Sequence, residues 1–150
     1  MKKRYFRKLK SLFKKAFFAN DSPEKLARGF AIGVFWGIMP TFGFAVLFSL
    51  PTAVIFKANR LTAIVGTFVS NPLTSPLFMF WGTYIGNFLL KKAPLQFSWD
   101  ILNLHSLLQI SKSLFVGTLI LATAVAFSSY GLLLLIIPLL KKIPHSEQDS

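Results

Sequence analysis

Two proline-containing segments hold the residues whose types and spacing could do chemistry. Pro40 interrupts the uncharged tract 29–56, and the stretch 70–74 lies at the centre of the uncharged tract 61–90. Because proline lacks an amide hydrogen and disfavours helical geometry in the residue before it, each segment should break a helix and free backbone groups. Such groups, with nearby hydroxyls, can bind an ion or a polar headgroup without a charged side chain. The predicted polar site near the middle of a membrane comprises Pro40, Thr41, Gly43, Ser70, Asn71, Pro72 and Thr74.

The uncharged tracts lack the side chains that most enzymes use. No Asp, Glu, His, Lys or Arg occurs within 29–56, 61–90 or 113–140, and the chain has no cysteine. General acid–base catalysis and intramembrane proton relays need titratable groups, and a zinc site needs clustered His, Cys or carboxylate ligands. A serine nucleophile in the second tract would have no base. The sequence therefore predicts a protein that is not an enzyme, with no catalytic residues, no metal site and no cofactor.

The three tracts define the fold class. They are 28, 30 and 28 residues long, and about 20 apolar residues suffice for a membrane-spanning helix. We expect an all-α integral membrane protein with one membrane domain, 20–142, in which prolines break the first two tracts into interrupted or re-entrant helices. Ser22 and Pro23 are typical of an N-cap and first helical residue, so a helix should begin there.

A 32-residue offset superposes the first two tracts and places Pro40 on Pro72. The other identical pairs are Arg28 with Arg60, Ala31 with Ala63, Ile32 with Ile64, Phe48 with Phe80, and Phe56 with Phe88. If each tract crosses the membrane once, the two units run in opposite directions. If each tract dips in and returns, they form two re-entrant hairpins. Half a tract is roughly 20 Å long, which permits either arrangement.

Glycines at four-residue spacing let helices approach closely, as in small-xxx-small motifs. We therefore assign helix packing to Gly29, Gly33, Gly37, Gly82 and Gly86.

The segments outside the tracts are polar or basic. Residues 1–19 are predicted to form an amphipathic helix in the membrane interface, because phenylalanines recur at helical spacing among eight cations. Its cations should contact anionic lipid headgroups, and binding to nucleic acid is the less favoured alternative. Residues 93–112 are predicted to form an interfacial linker helix, and 143–150 a flexible tail. The contacts with headgroups are assigned to Lys2, Lys3, Arg4, Arg7, Lys8, Lys10, Lys14 and Lys15.

Several short motifs occur in a fixed order along the chain: Ser22-Pro23; Ala27, Gly29, Ala31 and Gly33 at alternate positions; Pro40 with Gly43; Asn59-Arg60; Gly66-Thr67; and Ser70-Asn71-Pro72 with Thr74. Over about residues 20–140 this combination resembles the bacterial membrane family catalogued as domain of unknown function number two-zero-six-two. The resemblance implies a multi-pass protein of the bacterial cytoplasmic membrane and implies no activity. The ten cations that precede the first tract independently predict a cytoplasmic amino terminus.

Two classes of function stay open at this point. The first is a small transporter, channel or lipid-handling protein with one polar site at the paired breaks, in which case a chain this short should form a homo-oligomer. The second is a structural or partner-binding membrane subunit, in which the polar side chains only satisfy broken backbone and the glycines dock another membrane protein.

Overall fold

The computed structural model describes residues 21–91 and 104–142, with side chains given for 21–91 and 111–139. These residues form five α-helices and no strand, so the all-helical prediction is confirmed. The helices are α1, Pro23–Ile38; α2, Ala45–Ile55; α3, Arg60–Thr67; α4, Ser75–Leu89; and α5, Leu104–Lys142. The predicted basic helix 1–19, residues 92–103 of the predicted linker and the predicted tail 143–150 lie outside the described residues.

Local sequence signals fix where α1 and α3 begin. The Ser22 side chain accepts a hydrogen bond from the Lys25 amide, and Pro23 is the first helical residue of α1, as predicted. Asn59 caps α3 in the same way, because its side-chain oxygen accepts from the Thr62 amide at 2.9 Å. α1 ends at Ile38, immediately before the break that contains Pro40.

α1 and α2 form an antiparallel hairpin. Near the start of α1, Arg28 donates to the carbonyl oxygen of Phe56 at 3.0 Å, just past the end of α2. Nearer the break, the Trp36 ring stacks on Phe48 with centroids 5.0 Å apart, and its indole nitrogen donates to Thr52 Oγ1 at 3.0 Å. The chain therefore returns after the first break to the end from which it started.

α3 then runs parallel to α1, and glycine permits their close packing. A Cβ atom at Gly29 would overlap the Thr62 side chain, whereas one at Gly33 would overlap the Ala63 carbonyl oxygen and lie 2.8 Å from the Cα atom of Gly66. The contacts advance together along both helices, which sets their common direction. Gly37, the third glycine predicted on this face, lies against Thr67.

α5 packs antiparallel to both α1 and α4. Its middle and carboxyl-terminal parts contact α1: Ala122 clusters with Ile38, and Ile137 clusters with Leu26. Its amino-terminal half contacts α4, where Cβ atoms at Gly82 and Gly86 would overlap Thr118 and Ser113. Since α1 and α4 are both antiparallel to α5, they point the same way, and α4 continues in the direction of α3.

The two proline breaks therefore do different things. The first reverses the chain, whereas the second interrupts α3–α4 without reversing it. This is neither two single crossings in opposite directions nor two hairpins, the arrangements that the repeat suggested. The reason lies in the backbone of the first break, where Phe42 and Gly43 have φ of 50° and 93°, a left-handed turn that glycine favours. The structure also begins the last helix at Leu104, so residues 104–112 of the predicted linker are continuous with the third tract.

Candidate polar site at the two helix breaks

The two breaks line one cavity of about 300 Å³. It lies where α1 and α3 end and where α2 and α4 begin, at the level of the middle of α5. Six of the seven residues predicted for the polar site line it: Pro40, Thr41, Gly43, Ser70, Asn71 and Pro72. Thr74, the seventh, is not part of the lining. Two segments 30 residues apart in sequence thus share one cavity, the relationship that the matched prolines suggested.

The first break is held by bonds within its own segment. The Thr41 amide donates to the Met39 carbonyl at 2.7 Å, and the Phe44 amide donates to the Thr41 carbonyl at 3.0 Å. The Thr41 hydroxyl donates to the Trp36 carbonyl in the last turn of α1 at 3.4 Å. These bonds satisfy part of the backbone that Pro40 leaves without a helical partner.

Asn71 organises the second break. Its side-chain oxygen accepts from the amides of Leu73 and Thr74 at 2.9 and 3.0 Å, and its own amide donates to the Thr74 hydroxyl at 2.9 Å. That hydroxyl in turn donates to the Val69 carbonyl at 2.9 Å, in the turn that follows α3. Thr74 therefore supports the turn without being part of the cavity lining.

An asparagine amide can both donate and accept hydrogen bonds, so Asn71 could in principle bridge the two breaks, but it does not. Its hydrogen bonds go to its own turn, and those of Thr41 go to α1 and the first break. The two side chains lie on one cavity but belong to separate hydrogen-bond networks. No hydrogen bond joins the two side chains, so none couples their contributions to stability directly.

Ser75 is a lining residue that was left out of the predicted site. Its hydroxyl lies 3.0 Å from that of Ser70, so the two form a hydrogen-bonded pair at the cavity wall. The 32-residue offset offers a signal for it, because it places Ser75 on Gly43, another lining residue. Because a serine hydroxyl can both donate and accept hydrogen bonds, this pair can offer either a donor or an acceptor to a bound molecule.

The electrostatics of the cavity come from helix ends. α1 and α3 present carbonyl termini to it, whereas α2 and α4 present amide termini, and no side-chain hydrogen bond caps α2 or α4. A helix carries partial positive charge at its amino end and partial negative charge at its carboxyl end. The lining contains no charged side chain, and the described residues contain no group of three or more His, Asp or Glu that could hold a metal. The cavity can therefore offer a guest fixed dipoles and hydroxyls of both polarities.

The outer surface around this site is strongly apolar. One stretch of α5, Ser111–Leu139, is 29 residues long and apolar enough to cross a membrane. Only 11% of its most apolar 18-residue segment is buried within the protein. α2 is also apolar but shorter. Large side chains stand exposed on several helices, with Phe42 and Leu73 at the two breaks 83% and 89% exposed.

The other site residues predicted from sequence divide into two groups. Gly29, Gly33, Gly37, Gly82 and Gly86 each lie against a neighbouring helix of the same chain, so these faces are occupied within one molecule. The cations predicted to contact lipid headgroups, Lys2 to Lys15, lie outside the described residues.

Comparison with known families matches residues 6–144 to the family described as "Uncharacterized protein conserved in bacteria (DUF2062)". No curated protein and no solved structure gives a significant match. The family match covers nearly the whole chain, including both breaks, all five helices and the Asn59 turn. The chain is therefore a member of the DUF2062 family of conserved bacterial proteins.

Proposed function

We propose that this protein is a multi-pass protein of the bacterial cytoplasmic membrane in which the cavity at the two breaks binds a small polar solute or a lipid headgroup and lets it cross. The observation that carries the proposal is the meeting of two broken tracts at one uncharged cavity whose wall includes the hydroxyl residues Thr41, Ser70 and Ser75. Non-helical backbone at membrane depth is tolerated where it is buried in protein or lines a wet cavity. Interrupted helices with such backbone form the substrate sites of many transporters.

The proposed position in the membrane follows from α5. At about 1.5 Å per residue, the 29 residues of Ser111–Leu139 extend about 43 Å, close to the roughly 40–45 Å of a bilayer with its headgroups. Ala122, which clusters with Ile38 near the break, lies near the middle of this stretch. The cavity then lies close to the bilayer midplane.

The proposed orientation follows from the charges. In this position Arg28, Lys57 and Arg60 lie at one membrane surface, and Lys91 and Lys112 lie at the other. By chain position the first surface carries fourteen of the 17 cations, including Lys141 and Lys142 and the ten that precede the first tract. Cations close to spans are retained in the cytoplasm, so the hairpin enters from the cytoplasmic side. α3–α4 crosses outward and α5 crosses back, which puts both termini in the cytoplasm.

A second candidate function is a structural or partner-binding membrane subunit. The observation that favours it is the local satisfaction of the polar side chains at each break, where Thr41 and Asn71 bond to their own segments. On this alternative, the exposed second break, with Leu73 89% exposed, is covered by a second copy or another membrane protein.

Reconstitution separates the two functions. The purified protein in liposomes is screened for ion flux with entrapped dyes and for lipid scrambling with fluorescent headgroups. We expect one of these activities, lowered in Thr41→Val and in the Ser70→Ala/Ser75→Ala double variant. Ser128→Ala, which removes an exposed α5 hydroxyl bonded to its own helix, is the matched control and should retain the activity. Complete absence of both activities in the folded wild-type protein would contradict transport and favour the subunit.

A further inference from the structure

A second, larger cavity opens on a different face of the protein. It has a volume of about 450 Å³ and lies between the α1–α2 hairpin and the carboxyl-terminal half of α5. We call it the α1–α2–α5 groove, and its lining includes Arg28, Trp36, Phe56, Thr123, Phe127 and Tyr130. No sequence pattern indicates this groove, because its walls come from tracts 29–56 and 113–140, whose contact only the fold reveals.

Most polar atoms in the groove wall are already engaged inside the protein. The Trp36 indole nitrogen donates to Thr52, whose hydroxyl donates to the Phe48 carbonyl at 2.8 Å. The Thr123 hydroxyl donates to the Leu119 carbonyl at 2.7 Å. The interior of the groove therefore presents carbon to an occupant, and apolar surface of this extent suits a hydrocarbon chain.

One end of the groove is cationic. Arg28 lines it there, where α1 begins and α2 ends, and Lys57 follows Phe56 directly in the chain. One guanidinium nitrogen of Arg28 donates to the Phe56 carbonyl at 3.0 Å. A guanidinium has five N–H donors in a planar fork that suits phosphate, so Arg28 retains donors for an anion. Tyr130 packs against the cluster that contains Leu26, so its aromatic ring lies at the same end of the groove as Arg28.

We propose that the α1–α2–α5 groove binds one acyl chain of an anionic phospholipid from the cytoplasmic leaflet, with the lipid phosphate held by Arg28. An apolar groove with a cation at the depth of the headgroups suits a molecule that carries both a hydrocarbon chain and a phosphate. This inference rests on the proposed placement in the membrane, but not on transport through the cavity at the breaks.

Trp36 provides a direct probe, because it lines the groove and the chain has only two other tryptophans, Trp81 and Trp99. The full chain with Trp81→Phe and Trp99→Phe is placed in nanodiscs of phosphatidylcholine. A small, equal fraction of either phosphatidylglycerol or phosphatidylcholine with brominated acyl chains is then added. Bromine quenches tryptophan on contact, so Trp36 reports which lipid occupies the groove. We expect stronger quenching by the brominated phosphatidylglycerol at the same mole fraction.

Three variants test the two parts of the contact. Arg28→Gln should lower the preference for the anionic lipid by about tenfold, the effect of losing a charge-assisted hydrogen bond. Arg28→Lys should retain part of the preference because the charge remains. Ala31→Phe fills the groove from its α1 wall and should reduce quenching by both brominated lipids. Arg60→Gln removes an exposed cation that does not line the groove. It should show the same quenching of Trp36 as the protein that carries only the two tryptophan substitutions.

Equal quenching of Trp36 by the two brominated lipids, an unchanged preference in Arg28→Gln, or no quenching at all would overturn the proposal. Extraction of the same protein with carbonate from native membranes keeps this failure distinct from failure of the proposed function. A chain that stays in the membrane but shows no lipid preference loses the groove assignment alone. A chain that carbonate releases loses the membrane placement, and the groove assignment with it.

Discussion

The side-chain amide of Asn59 donates a hydrogen bond to the Asp21 carboxylate at 2.6 Å, across 38 positions of sequence. Asn59 also caps α3 through its side-chain oxygen, and its backbone amide donates to the Lys25 carbonyl at 3.1 Å. One residue thus fastens the turn between α2 and α3 to the beginning of α1. The α1–α2 hairpin is closed at this end by polar contacts, while its other end forms a wall of the polar cavity.

Replacement of Asn59 should remove the contacts that hold the α2–α3 turn to the beginning of α1. Asn59→Ala removes the α3 cap and the bond to Asp21, so we expect the free energy of unfolding to fall by about 1–3 kcal/mol. The loss should appear as a lower midpoint in thermal unfolding of the detergent-solubilised protein. Asn87→Ala, which removes an amide from the last turn of α4, should change the midpoint much less. Equal midpoints for the two variants would contradict the role given to Asn59.

The parallel packing of α1 on α3 depends on Gly33. In Gly33→Ala the new methyl group overlaps the Ala63 carbonyl oxygen and meets the backbone of Gly66, so the helices must separate. Overpacking of this kind costs about 1–3 kcal/mol. Gly131→Ala in α5 is the control, because its Cβ atom meets nothing within 4 Å and alanine favours the helix. We expect a lower unfolding midpoint for the first variant and an unchanged or raised midpoint for the second, and the reverse order would refute the tight crossing.

The reversal of the chain at the first break predicts the side on which each loop is accessible. Ala58 lies beside Asn59, which is bonded to Lys25, so a cysteine at position 58 should react with an impermeant reagent only from the cytoplasmic side. A cysteine at Lys91, beyond the end of α4, should react only from the opposite side. Labelling of intact cells and inverted vesicles measures both. Periplasmic labelling at position 58 would show that the first tract crosses the membrane and that the hairpin is wrong.

The shared cavity predicts proximity of Thr41 and Asn71 without energetic coupling. Cysteines at the two positions should crosslink through short bifunctional reagents, since both residues line the cavity. Asn71→Leu should destabilise by about 0.5–1.5 kcal/mol, because the Leu73 amide loses its acceptor while the Thr74 amide keeps the Asn71 backbone carbonyl. Since the hydrogen-bond networks are separate, the effects of Thr41→Val and Asn71→Leu should add in a double-mutant cycle of unfolding free energies.

The exposed residue Leu73 is the control for Asn71, and Leu73→Ala should leave stability in detergent nearly unchanged. A strong non-additive term between Thr41 and Asn71 would instead indicate that the two breaks bond to each other in the folded protein. Failure to crosslink would separate the two breaks in space.

The sequence was most informative where a local rule decides the structure. Ser22 and Pro23 start α1, and Pro40 and Pro72 interrupt helices, because capping and the missing amide hydrogen act within a few residues. The direction of the chain after each break was not predictable from the matched prolines. It depends on the left-handed turn at Phe42 and Gly43, compared with the Asn71 turn, and on which distant helices then pack together. The partner of each glycine face and the α1–α2–α5 groove depend on the same long-range contacts.

The hairpin has a mechanical consequence for the bilayer in the proposed placement. At the depth of the cytoplasmic leaflet the protein presents four helices, α1, α2, α3 and α5, whereas at the depth of the outer leaflet the described residues present only α4 and α5. The molecule is therefore a wedge with its broad end inward. A wedge displaces more lipid from one leaflet than from the other, so the density of the protein in a membrane should depend on the local curvature. A high density of such wedges would itself bend the bilayer.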